Sequence, residues 1–171
     1  GLRFRVDPVH RGIDPLLFLD FRAGRRHIRE HAKDKKVLNL FSYTCGIGVA
    51  AVAGGAKLAL NVDFSNHTLS IGKENATLNQ FSEPQFETIH DDAMLVLRQF
   101  SGLGMRGKAK RRQFTKRTAR LFDIVVLDPP RRAKSPFGTV DTVNDYQSIF
   151  KPALLCTKPG GKMLVTNNVA S

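Results

Sequence analysis

The chain has 171 residues, enough for one domain with its own core, with 42% apolar residues and a formal charge of +12 from 27 basic and 15 acidic side chains. No run reaches the roughly 18 apolar residues of a membrane helix, the opening GLRFRVDPVH is too charged for a secretory signal, and two cysteines are too few for a disulfide scaffold, so a cytoplasmic protein with free thiols is expected. So basic a surface attracts polyanions, and with no basic amphipathic helix backed by a clean apolar face, nucleic acid is expected over lipid.

In chain order, RFRV (3–6) and LLFL (16–19) predict a short N-terminal hairpin, and RAGRRHIREH (22–31) a basic helix. Residues 1–35 thus form an extension leading into a core over 36–171. KVLNLF (36–41) is short and apolar, as a buried strand is, and the small residues of GVAAVAGGA (48–56) suit a helix packed close to a sheet. KLALNVD (57–63) is the next strand, and Ser65 caps a helix running to about Gln80. FETIH (86–90) is the third strand, followed by a helix from Asp92 to Phe100.

Residues 101–121, SGLGMRGKAKRRQFTKRTARL, break this alternation. Eight basic residues and no acid lie between Arg106 and Arg120, which predicts a basic insertion, mobile until a polyanion neutralises it. FDIVVLD (122–128) is the fourth strand. A helix falls within 144–156, limited or kinked by Pro152, and Gly160 and Gly161 turn the chain into a fifth strand, KMLVTN (162–167). Strands alternating with helices predict an α/β fold, a doubly wound and mostly parallel Rossmann-like sheet.

Ligands of such sheets bind beyond the carboxyl ends of the strands. After the first strand, SYTCGIG (42–48) offers Gly46 and Gly48 for a tight turn and close backbone approach; GIGVAA also fits the dinucleotide fingerprint. Asp63, ending the second strand, can accept both hydroxyls of a ribose, a feature shared by methyl donors and nicotinamide cofactors. In HDDA (90–93) an acid can accept from the amine of adenine; Asp92 is the better placed and fits a helix N-cap equally well. In LDPPRR (127–132) two prolines fix the backbone, so their carbonyls and the Asp128 carboxylate form a rigid acceptor cluster for the amino or imino edge of a base. Methyl transfer from a sulfonium asks mainly for in-line placement and desolvation, which such a cluster supplies. Arg131, Arg132 and Lys134, with Lys108, Lys110, Arg111 and Arg112 of the insertion, predict a phosphate-binding rim, with Phe114, Phe137 and Tyr146 as candidate stacking partners. His27 and His31 share helical spacing but lack a third ligand, so no metal is expected.

FLDFRAGR (18–25), LNLFSYTCGIGVAAVAGGA (38–56), NVDFSNHTL (61–69), HDDAMLVL (90–97), LDPPRRAKSPFG (127–138) and GGKMLVTNN (160–168), in that order, carry a resemblance over nearly the whole chain. The chain resembles the class I S-adenosylmethionine-dependent methyltransferase domain of the large-subunit ribosomal RNA methyltransferase K/I family. The resemblance implies a seven-stranded sheet with S-adenosyl-L-methionine over Phe41, Ser42, Tyr43, Thr44, Gly46 and Gly48. It implies the ribose on Asp63 beside Phe64, the adenine near Asp91 and Asp92, and the target base at Asp128, Pro129 and Pro130. It places Asp20 and Arg22 beside the cofactor and makes ribosomal RNA the expected partner.

Family members that make 5-methylcytosine carry a cysteine nucleophile just after the fifth strand. Asn167 and Asn168 stand there in this chain, and neither Cys45 nor Cys156 aligns with it, so a base nitrogen is the expected target; the double Asn resembles the guanine-methylating branch of the family. The start at Gly1 and the stop just after the fifth strand, about two strands short of the family fold, predict a piece of a longer protein, weakly stable and prone to associate through its edge strand. On the residues alone two other functions compete. A NAD-type oxidoreductase shares the glycine turn and Asp63 but leaves the prolines unexplained. A non-catalytic RNA-binding module would keep the basic rim over a relic pocket.

Overall fold

A computed structural model describes residues 1–7, 15–104, 114–130, 132–135, 138–141 and 146–166. The strands are β1 (Lys36–Leu40), β2 (Leu58–Asp63), β3 (Phe86–His90), β4 (Phe122–Leu127), β5 (Arg132–Ser135), β6 (Gly138–Asp141) and β7 (Thr157–Val165). Five of them form one parallel sheet in the order β3-β2-β1-β4-β7; β5 and β6 pair antiparallel apart from it. The helices are α1 (Arg22–His31), α2 (Gly46–Ala53), α3 (Asn66–Leu78), α4 (Ala93–Phe100) and α5 (Gln147–Leu155).

Side chains alternate across a strand, and here both faces are covered, so each apolar run serves two cores. Val37 of β1 and Val126 of β4 join Ile28, Val49 and Leu69 of α1, α2 and α3 on one face. Leu38, Leu40, Val125 and Leu127 join Val96, Leu97 and Ile149 of α4 and α5 on the other. Ser65 caps α3, its Oγ accepting from the Thr68 N–H at 3.2 Å, and Asp92 caps α4, its Oδ1 accepting from the Met94 N–H at 2.8 Å. The strand order reverses at β1, which lies between β2 and β4, and a crevice opens at their carboxyl ends.

Four expectations need correction. No strand forms within 1–7 or 15–21, so the hairpin gives way to an extended arm held by side chains. Its Arg3 and Arg5 N–H groups donate to Asn79 Oδ1 and Asn75 Oδ1 at 2.9 and 2.8 Å. The small-residue helix starts at Gly46 rather than Gly48 and ends at Ala53. Pro152 neither ends nor bounds α5, which runs through it to Leu155. Gly160 and Gly161 lie inside β7, which begins at Thr157. The register slips there from Phe122↔Thr157 to Ile124↔Lys162, and Gly160 takes a φ of 72°. A Cβ on Gly161 would sit 2.8 Å from the Lys158 carbonyl oxygen and 2.9 Å from that of Asp123, so the bulge requires glycine.

Candidate functional site

The loop from β1 to α2 turns on left-handed residues other than glycine. Phe41, Tyr43 and Cys45 take φ of 55°, 49° and 60°, a conformation that costs an L-residue about 1–2 kcal/mol each. Surrounding bonds hold it. The Ser42 N–H donates to the Val62 carbonyl at 3.0 Å, Tyr43 N–H to Asp63 Oδ2 at 2.8 Å and Cys45 N–H to the Ser42 carbonyl at 2.7 Å. Thr44 Oγ1 donates to the Leu16 carbonyl at 2.6 Å, and Asn75 Nδ2 to that of Thr44 at 3.0 Å. Strain of this kind persists only where surroundings over-determine it, as at ligand sites.

The glycines serve differently from expectation: they make room. Gly48 sits over a buried amide pair, and a Cβ there would lie 2.1 Å from Asn61 Oδ1. Asn61 Nδ2 donates to the Glu87 and Ala59 carbonyls at 3.1 and 3.3 Å, so its Oδ1 is the acceptor for Asn39 Nδ2 at 2.9 Å. That fixes the polarity of Asn39, which is 2% exposed and lines the crevice. Gly46 faces the crevice itself, with Arg25 Cδ and Leu17 Cδ1 each 3.5 Å from where its Cβ would be.

The crevice is a cleft of about 570 Å³. One wall is Phe41, Ser42, Tyr43, Thr44, Gly46 and Ile47 after β1; another is Asp63, Phe64, Ser65 and Thr68 after β2. Asp128 and Pro130 after β4, with Thr166 after β7, face them, and Leu17, Phe18, Asp20, Phe21 and Arg25 close the remaining side. Asp63 is the buried acid of the cleft, and desolvation lifts its carboxyl above the ordinary aspartate range. Bonds from the Ser65 N–H, Thr68 hydroxyl and Phe64 N–H, and the charge of His90, pull the other way. Arg25 donates from Nη1 to the Phe18 carbonyl at 2.6 Å. Its partial burial draws the guanidinium below its usual range, opposed by Asp20, and it stays charged. Thr166 Oγ1 donates to Asp128 Oδ1, and the Tyr146 hydroxyl to the Thr166 carbonyl at 3.0 Å. Burial, with the charge of Asp128, pushes that phenol up to about 12.

Thus one cleft gathers Phe41, Ser42, Tyr43, Thr44, Gly46, Asp63, Phe64, Asp128 and Pro130 from the sequence-derived set. Gly48, Asp91, Asp92 and Pro129 do not line it. Asp91 is held by Arg117, Nη2 to Oδ2 at 3.2 Å, and Asp92 caps α4 with Oδ1 while its buried Oδ2 has no partner among the described residues. Asp20 lines the cleft and Arg22 does not. Lys108, Lys110, Arg111, Arg112, Arg131, Phe137, Asn167 and Asn168 lie outside the described residues; Arg132 and Lys134 fall in β5, where the backbone alone is described. Sequence reasoning missed Arg25, Asn39 and Thr166. A polar residue in the middle of the apolar run KVLNL was the available signal for Asn39, because a buried amide needs partners. Among the described residues no cluster of three or more His, Cys, Asp or Glu is placed to hold a metal ion, and no helix is long and apolar enough to cross a membrane.

The sheet order, the cleft at its reversal and the strained turn above Asp63 define a class I methyltransferase fold. A family model described as S-adenosylmethionine-dependent methyltransferase matches residues 1–171, and the chain belongs to that family. It is 34% identical over 164 residues to the ribosomal RNA large subunit methyltransferase I of Aliivibrio fischeri (strain MJ11). That match covers 96% of this chain and 37% of the relative. It is 35% identical over 166 residues to the protein of the same name from Vibrio parahaemolyticus serotype O3:K6 (strain RIMD 2210633), covering 96% and 38%. The chain therefore spans less than two-fifths of the length of these relatives. Among solved structures it is similar in fold to SMU.776, solved in complex with SAH. The TM-score is 0.73 at 24% identity, over 90% of this chain and 37% of that one. The SAM-dependent methyltransferase from Agrobacterium tumefaciens gives 0.71 at 21% identity, over 91% and 47%. Family membership makes the cofactor S-adenosylmethionine rather than a dinucleotide.

Proposed function

We propose that this chain is the methyl-transferring domain of an enzyme that modifies a base nitrogen, that of guanine, in large-subunit ribosomal RNA. One observation carries the reading: a single cleft joins the strained turn and Asp63 to Asp128 and Pro130. The names of the relatives point to the RNA.

The residues present suit the donor. Asp63 offers a carboxylate to a ribose diol, Arg25 a cation to the amino-acid carboxylate, and Asn39 a fixed amide to the ammonium. Asp92 does not line the cleft, but its buried Oδ2 beyond the end of β3 has no partner among the described residues and is the candidate acceptor for the adenine amine. S-adenosylmethionine supplies an electrophilic methyl group on sulfur. The protein's part is placement and desolvation. Asp128, fixed by the Thr166 hydroxyl, would accept from the N–H edge of the base, offset the positive charge that develops on its nitrogen and receive the proton that nitrogen releases. Leu17, Phe18 and Phe64 supply apolar walls. Lys108, Lys110, Arg111, Arg112, Arg131, Arg132 and Lys134 are proposed to take the phosphates of the RNA. Such an enzyme works in the cytoplasm.

A cysteine mechanism at cytosine is disfavoured. Cys45 and Cys156 are both buried, neither lines the cleft, and burial pushes both thiols up to about 12. RNA carrying 5-fluorocytosine should therefore form no covalent adduct, and a stable adduct would refute the nitrogen assignment. Asp128→Ala should abolish transfer of labelled methyl to ribosomal RNA while RNA retention stays within about twofold. Undiminished transfer would sink the site, and the absence of transfer from the unaltered protein with RNA binding intact would favour a non-catalytic module.

A further inference from the structure

Helix α1 is built against its own electrostatics. The amino end of a helix carries a positive partial charge, which acids offset at roughly 0.3–1 kcal/mol each and cations worsen. Yet α1 has no acid in its first turn and no side-chain cap. Arg22, Arg25 and Arg26 crowd its amino-terminal half, while Arg29 sits in the last turn, where the dipole favours a cation. A violation of local preference without a structural return is expected at functional positions.

These arginines divide by direction. Arg25 turns to the cleft, where it donates to the Phe18 carbonyl. At about 100° per residue, Arg22, Arg26 and Arg29 fall within roughly 60° of arc, and at about 1.5 Å per residue they span about 10 Å along the axis. All three are exposed, and none of their guanidinium groups has a hydrogen bond or ion pair among the described residues. Glu30, the one acid of the helix, pairs with none of them. The helix is a fixed platform. Gly24 and Ile28 are buried, and α2 comes so near that a Cβ on Gly54 would lie 2.1 Å from the Arg29 carbonyl oxygen.

We infer that the Arg22–Arg26–Arg29 stripe of α1 is a second RNA surface, a ridge that takes successive phosphates of the strand whose base enters the cleft beside Arg25. The inference rests on the RNA reading above and adds a surface remote in sequence from the basic insertion. Arginine suits it: its planar fork grips phosphate oxygens in pairs and stays charged at any working pH. A lipid surface fits less well, because the other side of this helix is packed against α2 and offers no apolar face to insert.

The test is a salt titration of binding to a 12-nucleotide oligouridylate, whose phosphates are its main handle. R22Q/R26Q/R29Q should lower the slope of log K against log salt by about 2, at about 0.7 for each single-strand phosphate no longer neutralised, and weaken binding at least about tenfold at 0.1 M salt. Each single variant should lower the slope by about 0.7. The control K57Q/K73Q/K151Q removes the same charge from exposed sites elsewhere and should leave the slope nearly unchanged. Binding of S-adenosylhomocysteine, measured by calorimetry, should stay within about twofold in both triple variants, which also verifies their fold. An unchanged slope in the α1 variant, or an equal fall in the control, overturns the ridge. So does loss of binding to phosphatidylserine vesicles while oligouridylate binding persists. Failure of the unaltered protein to bind S-adenosylhomocysteine at all would instead strike the methyltransferase reading.

Discussion

Gly46 and Gly48 look alike in the sequence and differ in what a methyl group would meet. Gly48→Ala gains up to about 1 kcal/mol of helix propensity but drives a Cβ into a fully buried amide, an overpacking that costs about 1–3 kcal/mol. It should lower the melting temperature. Gly46→Ala finds ordinary contact distances, should melt at or above the original temperature, and should weaken S-adenosylhomocysteine binding several-fold because its methyl enters the cleft. Thermal scans with calorimetry check both; equal melting losses would refute the distinction. Asp63 makes a second case. The carboxylate is the form that accepts ribose hydroxyls, and burial raises its pKa, so affinity is full above that raised value and falls as pH drops through it. Calorimetry from pH 4 to 8 should show the fall beginning above the ordinary aspartate range. Asp63→Asn should bind at least about tenfold more weakly at pH 7 with a flatter profile. At this scale the sequence revealed acids and prolines at strand ends, whose chemistry shows in their letters. It hid Arg25 and Asn39, whose roles depend on which side of an element faces the cleft, and it credited to glycine a turn made by Phe41, Tyr43 and Cys45.

The arm that returns from the basic insertion behaves as an element, although it is neither helix nor strand. The Arg117 N–H donates to Gln99 Oε1 at 2.8 Å and its guanidinium pairs with Asp91. The Arg120 N–H donates to the Phe100 carbonyl at 3.1 Å, and its guanidinium lies 5.0 Å from the Phe122 ring centre. Residues 114–121 are thereby fastened along α4, next to the Asp91–Asp92 corner. Arg117→Met removes one partner of a largely buried pair, leaves the Asp91 carboxylate short of a donor, and frees the arm. The expected cost is about 1–3 kcal/mol. Hydrogen exchange at the Arg120 amide should accelerate at least tenfold while the β4 amides stay protected; an unaltered Arg120 amide would show that the arm is held by other means. Strands and helices of the core were legible because burial on both faces writes them as short apolar runs. The arm was not, since its hold is a few specific polar contacts inside a segment whose composition reads only as charge. The strand bulge at Gly160 and Gly161 escaped for a related reason: glycine marks a departure from regular backbone without saying whether a turn or a bulge results.

For the molecule as a whole, cohesion and function meet at the carboxyl edge of the sheet. The turn after β1, Asp63, Asp128 and the arm from 15 to 21 surround the cleft from separate parts of the chain. In the proposed donor site the desolvated Asp63 carboxylate would meet a ribose diol, and the partly buried Arg25 would meet an amino-acid carboxylate. A ligand that binds only the folded state stabilises it by mass action. At 100 times its Kd the gain is about 2.7 kcal/mol, which for a chain of this size raises Tm by about 5–10 °C. S-adenosylhomocysteine should produce that rise and NAD none, because the family uses S-adenosylmethionine. At the same ligand concentration the rise should fall to about half or less in Asp63→Asn and persist in Asp128→Ala, which separates the donor's end of the cleft from the target's. Equal stabilisation by NAD, or loss of the rise in both variants, would mean that the cleft is not divided between a donor and a base.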